Sequence, residues 1–440
     1  MALRQVAWVT LYLVLVLTPQ ALLFLGEVPP GRDFWWNFSM ALGFAGMAMI
    51  GVQFALTARI RPMTAPFGVD IIYLFHRYLA WIALAIVAAH FGILWLWYED
   101  RLGPTINPFE ADWELTAGRA ALVLFGLAVV TAEWRKLLRL EYGLWRYAHV
   151  VLAIFGFGAA VAHIIGIGYF TASPLNRTLW LLATLSWLLL LVWVRLLKPL
   201  KQTREPWRVV EVRPGRNDVW TIAIEPDGHA GLRRFLPGQF AWLTLRNSPF
   251  GLREHPFSIA SAPEALPRLE FGIKELGDFT SRIGEVRPGD PAWIDAPYGV
   301  FSIDRQPEAE GLVAIVGGVG ITPVMSMLRS LAARGDRRPV WLFYGNKGWD
   351  DVAYREELEA LQGRLDLRLV HILEEPPEGW TGETGFVTQE LLERHLPPAP
   401  RPRLHCFLCG PTPMTAAAER ALRGMGVPTR SIQTEIFELA

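Results

Sequence analysis

Residues 76–90 read HRYLAWIALAIVAAH, two histidines closing a run otherwise apolar enough to lie in lipid. Residues 149–163, HVVLAIFGFGAAVAH, repeat the arrangement with the same spacing of fourteen residues. In a helix, fourteen residues rise roughly 21 Å and turn through about 1400°, leaving both side chains within roughly 40° of one face. Each segment therefore predicts a membrane helix that offers imidazoles to one groove at two depths. Polar groups within a bilayer are costly and are kept where they hold a partner.

Working outward, apolar runs long enough to span a bilayer lie near residues 5–25, 35–57, 70–97, 117–132, 147–170 and 178–197. Six transmembrane helices are expected. The first run lacks a small-residue cleavage pattern and reads as a retained helix. Arg4, Arg59, Arg61, Arg135, Lys136, Arg139, Arg146, Arg195 and Lys198 fall on one side of these spans. The other side has Arg32, Arg101 and Arg177, and an acidic loop with Glu99, Asp100, Glu110, Asp112 and Glu114. The positive-inside rule then makes both termini cytoplasmic, with RLLKPLKQTREPW at 195–207 as a linker.

The third and fifth spans run in the same direction, so His76 is level with His149 on the cytoplasmic side. His90 is level with His163 towards the outside. Two facing imidazoles at each depth are what a bis-histidine haem requires, and two haems stacked across the bilayer make an electron path. A hydrogen bond to a neighbouring helix accounts for one intramembrane histidine but poorly for two matched pairs. A single zinc ion cannot serve ligands roughly 21 Å apart, and no carboxylate or thiol lies near.

Charge divides the chain. Residues 1–200 carry 24 of the 84 charged side chains and twelve of the 19 tryptophans, the latter as expected for interfacial aromatic belts. The net charge is zero, and there is no basic stripe for nucleic acid. Cys406 and Cys409 are the two cysteines. They build no disulfide framework, and two thiols alone do not complete a zinc site. Asn37-Phe38-Ser39 and Asn176-Arg177-Thr178 match glycosylation sequons, a pattern common by chance.

Residues 208–302 alternate as short strands broken by proline and glycine, which predicts a small antiparallel barrel. From residue 309 strands alternate with helices, as in a parallel α/β nucleotide-binding domain. Three domains are expected: 1–200 in the membrane, the barrel at 201–308, and the α/β domain at 309–440. Gly317-Gly318-Val319-Gly320 follows an apolar strand and precedes Thr322-Pro323. Such glycines let backbone amides approach a pyrophosphate at a helix N-terminus. Proline stands where the usual fingerprint has its third glycine.

HPFSIAS at 255–261, GDFT at 277–280, GGVGITP at 317–323 and CGPTPM at 409–414 come in the order of ferredoxin–NADP reductase-type flavoproteins. Joined to the paired-histidine membrane half, the chain resembles the ferric reductase and NADPH oxidase superfamily, most nearly its short bacterial members, from about residue 35 to the end. The resemblance implies FAD in the barrel, with Pro256, Phe257 and Ser258 along the isoalloxazine and Ser258 able to reach its N5. His255 stands where many relatives have arginine for the pyrophosphate. Lys274, Gly277 and Thr280 would hold the phosphates. Gly318, Gly320 and Thr322 would take the NAD(P)H pyrophosphate, with Cys409, Gly410 and Pro411 beside the nicotinamide. Ser258 and Cys409 are thus the expected catalytic residues. Phe437 matches the C-terminal aromatic that covers the flavin, although Glu438, Leu439 and Ala440 follow it here.

These parts imply electron flow from cytosolic NAD(P)H through FAD and two b-type haems to an acceptor outside. Oxygen, giving superoxide, is the first expectation and a ferric chelate the second, since the acidic 98–114 loop could attract cationic metal species. A periplasmic partner protein is a third acceptor, and a non-enzymatic haem-binding anchor or sensor is the alternative of a different class. Lys347 after the strand VWLFYG favours NADPH slightly, against Asp350 and Asp351 nearby. The expected location is a plasma membrane, bacterial by the compact loops. No sequence feature demands a protein partner.

Overall fold

The computed structural model describes residues 2–22, 24–25, 29–64, 67–102, 110–398 and 403–435. The chain forms two compact units, Met1–Pro199 and Leu200–Ala440.

The first unit is helical: α1 (Ala2–Leu22), α2 (Phe34–Thr57), α3 (Val69–Trp97), α4 (Trp113–Glu133), α5 (Tyr142–Ile167) and α6 (Pro174–Val192). Among the described residues, five helices, α2 to α6, are long and apolar enough to cross a membrane, α6 continuing through a π-helical turn to Thr203. This is a multi-pass membrane unit. The sixth expected span is α1, which is described over a shorter apolar stretch. Its apolar part is Val6–Leu22, which rises roughly 25 Å against a hydrocarbon core of about 30 Å. Part of the expected 5–25 run also lies outside the described residues. The fourth span begins at Trp113 rather than 117. Glu114 breaks the hydropathy there yet suits the first turn of a helix, where the macrodipole favours an acid.

Small residues set the helix packing. A Cβ on Gly46 of α2 would come within 2.5 Å of Val87 on α3, and one on Gly156 of α5 within 2.9 Å of Phe125 on α4. These glycines let α2 lie close on α3, and α4 on α5. Tyr12, Leu15 and Val16 of α1 pack on the Met49, Val52 and Leu56 cluster of α2. Leu181, Leu182, Leu185, Leu188 and Leu189 of α6 are exposed, an apolar surface suited to lipid.

The second unit holds two sheets. β1 (Trp207–Pro214), β2 (Val219–Pro226), β3 (Phe240–Leu245), β4 (His255–Ser258), β5 (Leu269–Lys274) and β6 (Pro291–Tyr298) pair antiparallel in the order β4-β3-β6-β1-β2-β5. The sheet curls into a half-barrel whose edges meet at an isolated bridge between Ile259 and Phe271. Ile222, Leu243, Ile259 and Phe271 fill its interior.

The parallel sheet comprises β7 (Gly311–Gly317), β8 (Val340–Asn346), β9 (Leu367–Leu373), β10 (Glu383–Thr384), β11 (Leu404–Cys409) and β12 (Ile432–Glu435), in the order β10-β9-β8-β7-β11-β12. Helices α7 (Ile321–Arg334), α8 (Arg355–Gln362), α9 (Gln389–His395) and α10 (Thr412–Gly424) connect the strands. The two sheets are tied by Arg329, whose Nη1 donates to Glu270 Oε2 at 2.9 Å and to the Ala260 carbonyl at 3.0 Å. Its Nε donates to Glu357 at 2.6 Å.

Candidate functional site

Helices α3 and α5 bring their histidines together in two tiers. The His76 and His149 ring centroids are 6.5 Å apart with an interplanar angle of 74°. Those of His90 and His163 are also 6.5 Å apart, at 64°. The flanking helices fix three of the four rings from behind. His90 Nδ1 donates to the Ser39 carbonyl of α2 at 2.8 Å, and His163 Nδ1 to the Glu114 carbonyl of α4 at 2.8 Å. His149 Nδ1 donates to the Ala128 carbonyl of α4 at 3.2 Å. A ring whose Nδ1 is the donor carries its lone pair on Nε2. His76 Nδ1 is buried without a partner among the described residues.

The His90–His163 pair borders an open cleft of about 1020 Å³, solvent at its mouth included, lined also by Gly43, Met47, Val87, Phe125 and Arg119. Its wall is largely apolar. Among the described residues, no three His, Cys, Asp or Glu side chains converge as a metal cluster, so each imidazole pair stands as a two-ligand set.

In the half-barrel, β4 places His255, Pro256 and Phe257 half-buried and Ser258 buried. The His255 ring stacks on Phe279 at 4.1 Å and 15°, which joins the HPFS strand to the GDFT turn. Lys274 Nζ donates to Asn217 Oδ1 at 2.8 Å. Thr280 Oγ1 accepts from the amides of Leu276 and Gly277, each at 2.9 Å, so that its hydroxyl shapes the turn itself.

At the carboxyl ends of β7 and β11 two turns touch. A Cβ on Gly320 would lie 2.3 Å from the Cys409 carbonyl, and one on Gly410 would lie 2.9 Å from the Gly317 amide. Glycine is required at both positions by this contact. Gly318 has φ +54° and open space beside it. Thr322 is buried at the start of α7, its hydroxyl donating to the Val319 carbonyl at 2.7 Å. Pro411 precedes α10 as its N-cap. Cys409 is wholly buried in the α/β core, and burial pushes its thiol well above the ordinary range. Lys347 is exposed beyond β8 and pairs with Glu375 at 3.5 Å. Phe437 lies outside the described residues.

Sequence reasoning missed the groups behind the histidines: the carbonyls of Ser39, Glu114 and Ala128, and Gly43 and Gly118 beside the rings. A backbone acceptor leaves no trace in residue type. The two glycines in apolar spans were the available signal.

Two family matches bear on this arrangement. Residues 42–160 match the family described as "Ferric reductase like transmembrane component", and residues 314–420 match "Oxidoreductase NAD-binding domain". The first span of matched residues contains His76, His90 and His149. Among curated relatives, ferredoxin–NADP reductase B of Sorangium cellulosum is 32% identical over 239 residues, covering 52% of this chain and 96% of that protein. The propane 2-monooxygenase reductase component of Mycolicibacterium goodii is 31% identical over 52% of this chain, and the chain spans 66% of that protein's length. NADH-cytochrome b5 reductase 2 of Mycosarcoma maydis is 30% identical over 47%, with 61% of its length spanned. A solved ferredoxin reductase of carbazole 1,9a-dioxygenase aligns over 53% of this chain and 69% of its own, at 26% identity and a TM-score of 0.46.

Fold and sequence together define a membrane-embedded, NAD(P)H-dependent oxidoreductase with a ferredoxin–NADP reductase-type flavin unit. The chain joins a ferric reductase-like transmembrane domain to that dehydrogenase, a ferric reductase/NADPH oxidase-like architecture.

Proposed function

We propose that the chain carries electrons from cytosolic NAD(P)H through FAD and two bis-histidine b-type haems to an acceptor outside a plasma membrane, with oxygen reduced to superoxide. The observation that carries this reading is the pair of imidazole tiers, each with centroids 6.5 Å apart. Two ring nitrogens each about 2 Å from a metal between them need centroids roughly 6 Å apart. The apolar space at the upper tier and the bonded Nδ1 atoms of three rings also fit such a group. His76 with His149 would hold the inner haem, and His90 with His163 the outer. When bound, the flavin accepts an electron pair as hydride and releases electrons singly, and the haems carry them across the bilayer.

The protein's own part is positional. The α2 and α4 carbonyls hold three of the four rings in the tautomer that leaves Nε2 free. With both imidazoles of a pair given to the metal, no position would remain for the acceptor, which would be met outside the tier. In the dehydrogenase, Pro256, Phe257 and Ser258 would line the isoalloxazine, with His255, Lys274, Gly277 and Thr280 towards the phosphates and Phe437 over the ring. Gly318, Gly320, Thr322 and Lys347 would receive the dinucleotide, with Cys409, Gly410 and Pro411 at the nicotinamide. The domains are assigned as 1–200, 201–308 and 309–440, with α1 completing six spans and both termini cytoplasmic.

A ferric chelate is the second reading, and the exposed acidic residues Glu99, Asp100 and Glu110, on the side read as outer, would attract cationic metal species. Anaerobic reduction of the purified, FAD-loaded protein with NADPH, followed by mixing with oxygen or ferric citrate, separates the two. Fast haem reoxidation by oxygen with stoichiometric superoxide is expected. Slow reaction with oxygen beside fast, saturable reoxidation by ferric citrate would replace the oxidase with a metalloreductase.

A further inference from the structure

The helices behind the histidines repeat with the histidines' own period. Ser39 of α2 backs His90 of α3. Fourteen residues further along α2, and fourteen back along the antiparallel α3, Gln53 comes level with His76. On the other side Glu114 backs His163 and Ala128, fourteen residues on, backs His149. Four tiered positions therefore offer four carbonyls, yet the bonds they make are graded: 2.8 Å at Ser39, 2.8 Å at Glu114, 3.2 Å at Ala128, and none to His76 Nδ1.

The grading follows the residue four places after each carbonyl. In a helix that residue's amide bonds to the carbonyl, so its Cα stands beside any ring approaching the same oxygen. After Ser39 and Glu114 it is Gly43 and Gly118. A Cβ there would stand 3.2 Å from His90 Nδ1 and 2.8 Å from His163 Nδ1, so glycine permits the short bonds. After Ala128 it is Ala132, and the bond is longer. After Gln53 it is Thr57, which adds a branched side chain and shares its hydroxyl between the Gln53 carbonyl at 3.2 Å and the Phe54 carbonyl at 3.3 Å. The Gln53 side-chain amide is also buried, with neither atom partnered among the described residues.

We infer that Thr57 is a positioning residue that keeps His76 off the Gln53 carbonyl, and so raises the reduction potential of the inner haem relative to the outer. The inference rests on the bis-histidine reading above. An imidazole that donates Nδ1–H to a carbonyl is the stronger electron donor through Nε2 and stabilises the oxidised metal. The outer pair has two short bonds of this kind. The inner pair has one long bond and, among the described residues, one imidazole without any. Axial hydrogen bonding thus favours an electron on the inner centre, the one that receives it first.

Redox titration of the full-length protein, followed by haem absorbance, tests this with Thr57→Ala, Thr57→Gly and Gly43→Ala. The two Thr57 variants should lower one of the two midpoints stepwise, glycine more than alanine, and leave the other in place. Gly43→Ala, which lengthens the bond at His90, should raise the other midpoint. Pyridine haemochrome counts on each protein keep the two readings apart. Wild-type protein without two haems per chain overturns the bis-histidine reading and this inference with it. Two haems retained, with midpoints unmoved by Thr57→Gly or with the same component moved by Gly43→Ala, overturns this inference alone.

Discussion

His163 of α5 donates its Nδ1 proton to the backbone carbonyl of Glu114 on α4 at 2.8 Å, over Gly118, where a Cβ would stand 2.8 Å from the same nitrogen. A helix outside the histidine pairs thereby fixes the tautomer of an imidazole within one. Gly118→Ala is expected to push the ring off its acceptor. The outer haem should be lost or loosened in that variant while the inner one stays, as read from haem stoichiometry and the reduced absorbance spectrum.

The tiers make a stronger demand on substitution. His76→Ala and His149→Ala should remove the same haem, and His90→Ala and His163→Ala the other. Four difference spectra that fall into these two classes support the pairing. Matching residual spectra for His76→Ala and His163→Ala would contradict it.

Both cysteines lie buried on β11. Burial pushes the Cys406 thiol up to about 12 and Cys409 well above its ordinary range. Because the thiolate is the reactive form, neither should be alkylated by iodoacetamide in the folded protein near neutral pH, while both should label after denaturation. Mass spectrometry of the labelled peptide reads the outcome. Rapid native labelling at Cys409 would show an accessible thiolate.

Arg329 is 16% exposed in its side chain and serves Glu270 and Glu357 at once. Removing one partner of a buried ion pair strands the others, at a cost of about 3–5 kcal/mol. Arg329→Met should therefore lower the melting temperature of the dehydrogenase unit by several degrees. Glu357→Gln, on the more exposed side, should cost less. Equal, small effects from both would mean that the network is solvated.

The long-range order of the molecule was legible where a physical period acts on residue type. The fourteen-residue spacing predicted which imidazoles meet, and strand alternation followed by strand–helix alternation separated the half-barrel from the parallel sheet. What stayed hidden depends on backbone or burial. Glu114 and Ala128 share no side-chain chemistry, yet their carbonyls play the same part. The CGP motif marked Cys409 but did not reveal that its thiol lies wholly inside the core. Lys347 suggested a phosphate contact, whereas its ammonium meets Glu375. If Lys347 reads a 2′-phosphate despite that pair, Lys347→Ala should raise the KM for NADPH and leave that for NADH unchanged.

The most direct test of transmembrane electron transfer uses the full-length, haem- and FAD-loaded protein in sealed liposomes. The dehydrogenase unit faces the bath, and an impermeant ferric chelate or cytochrome c is trapped inside. NADPH added to the bath should reduce the trapped acceptor. The rate should collapse in both His76→Ala and His163→Ala, while bath-side dye reduction by the flavin unit persists. A trapped acceptor that stays oxidised in wild-type vesicles, or is reduced equally fast without the histidines, would contradict the account.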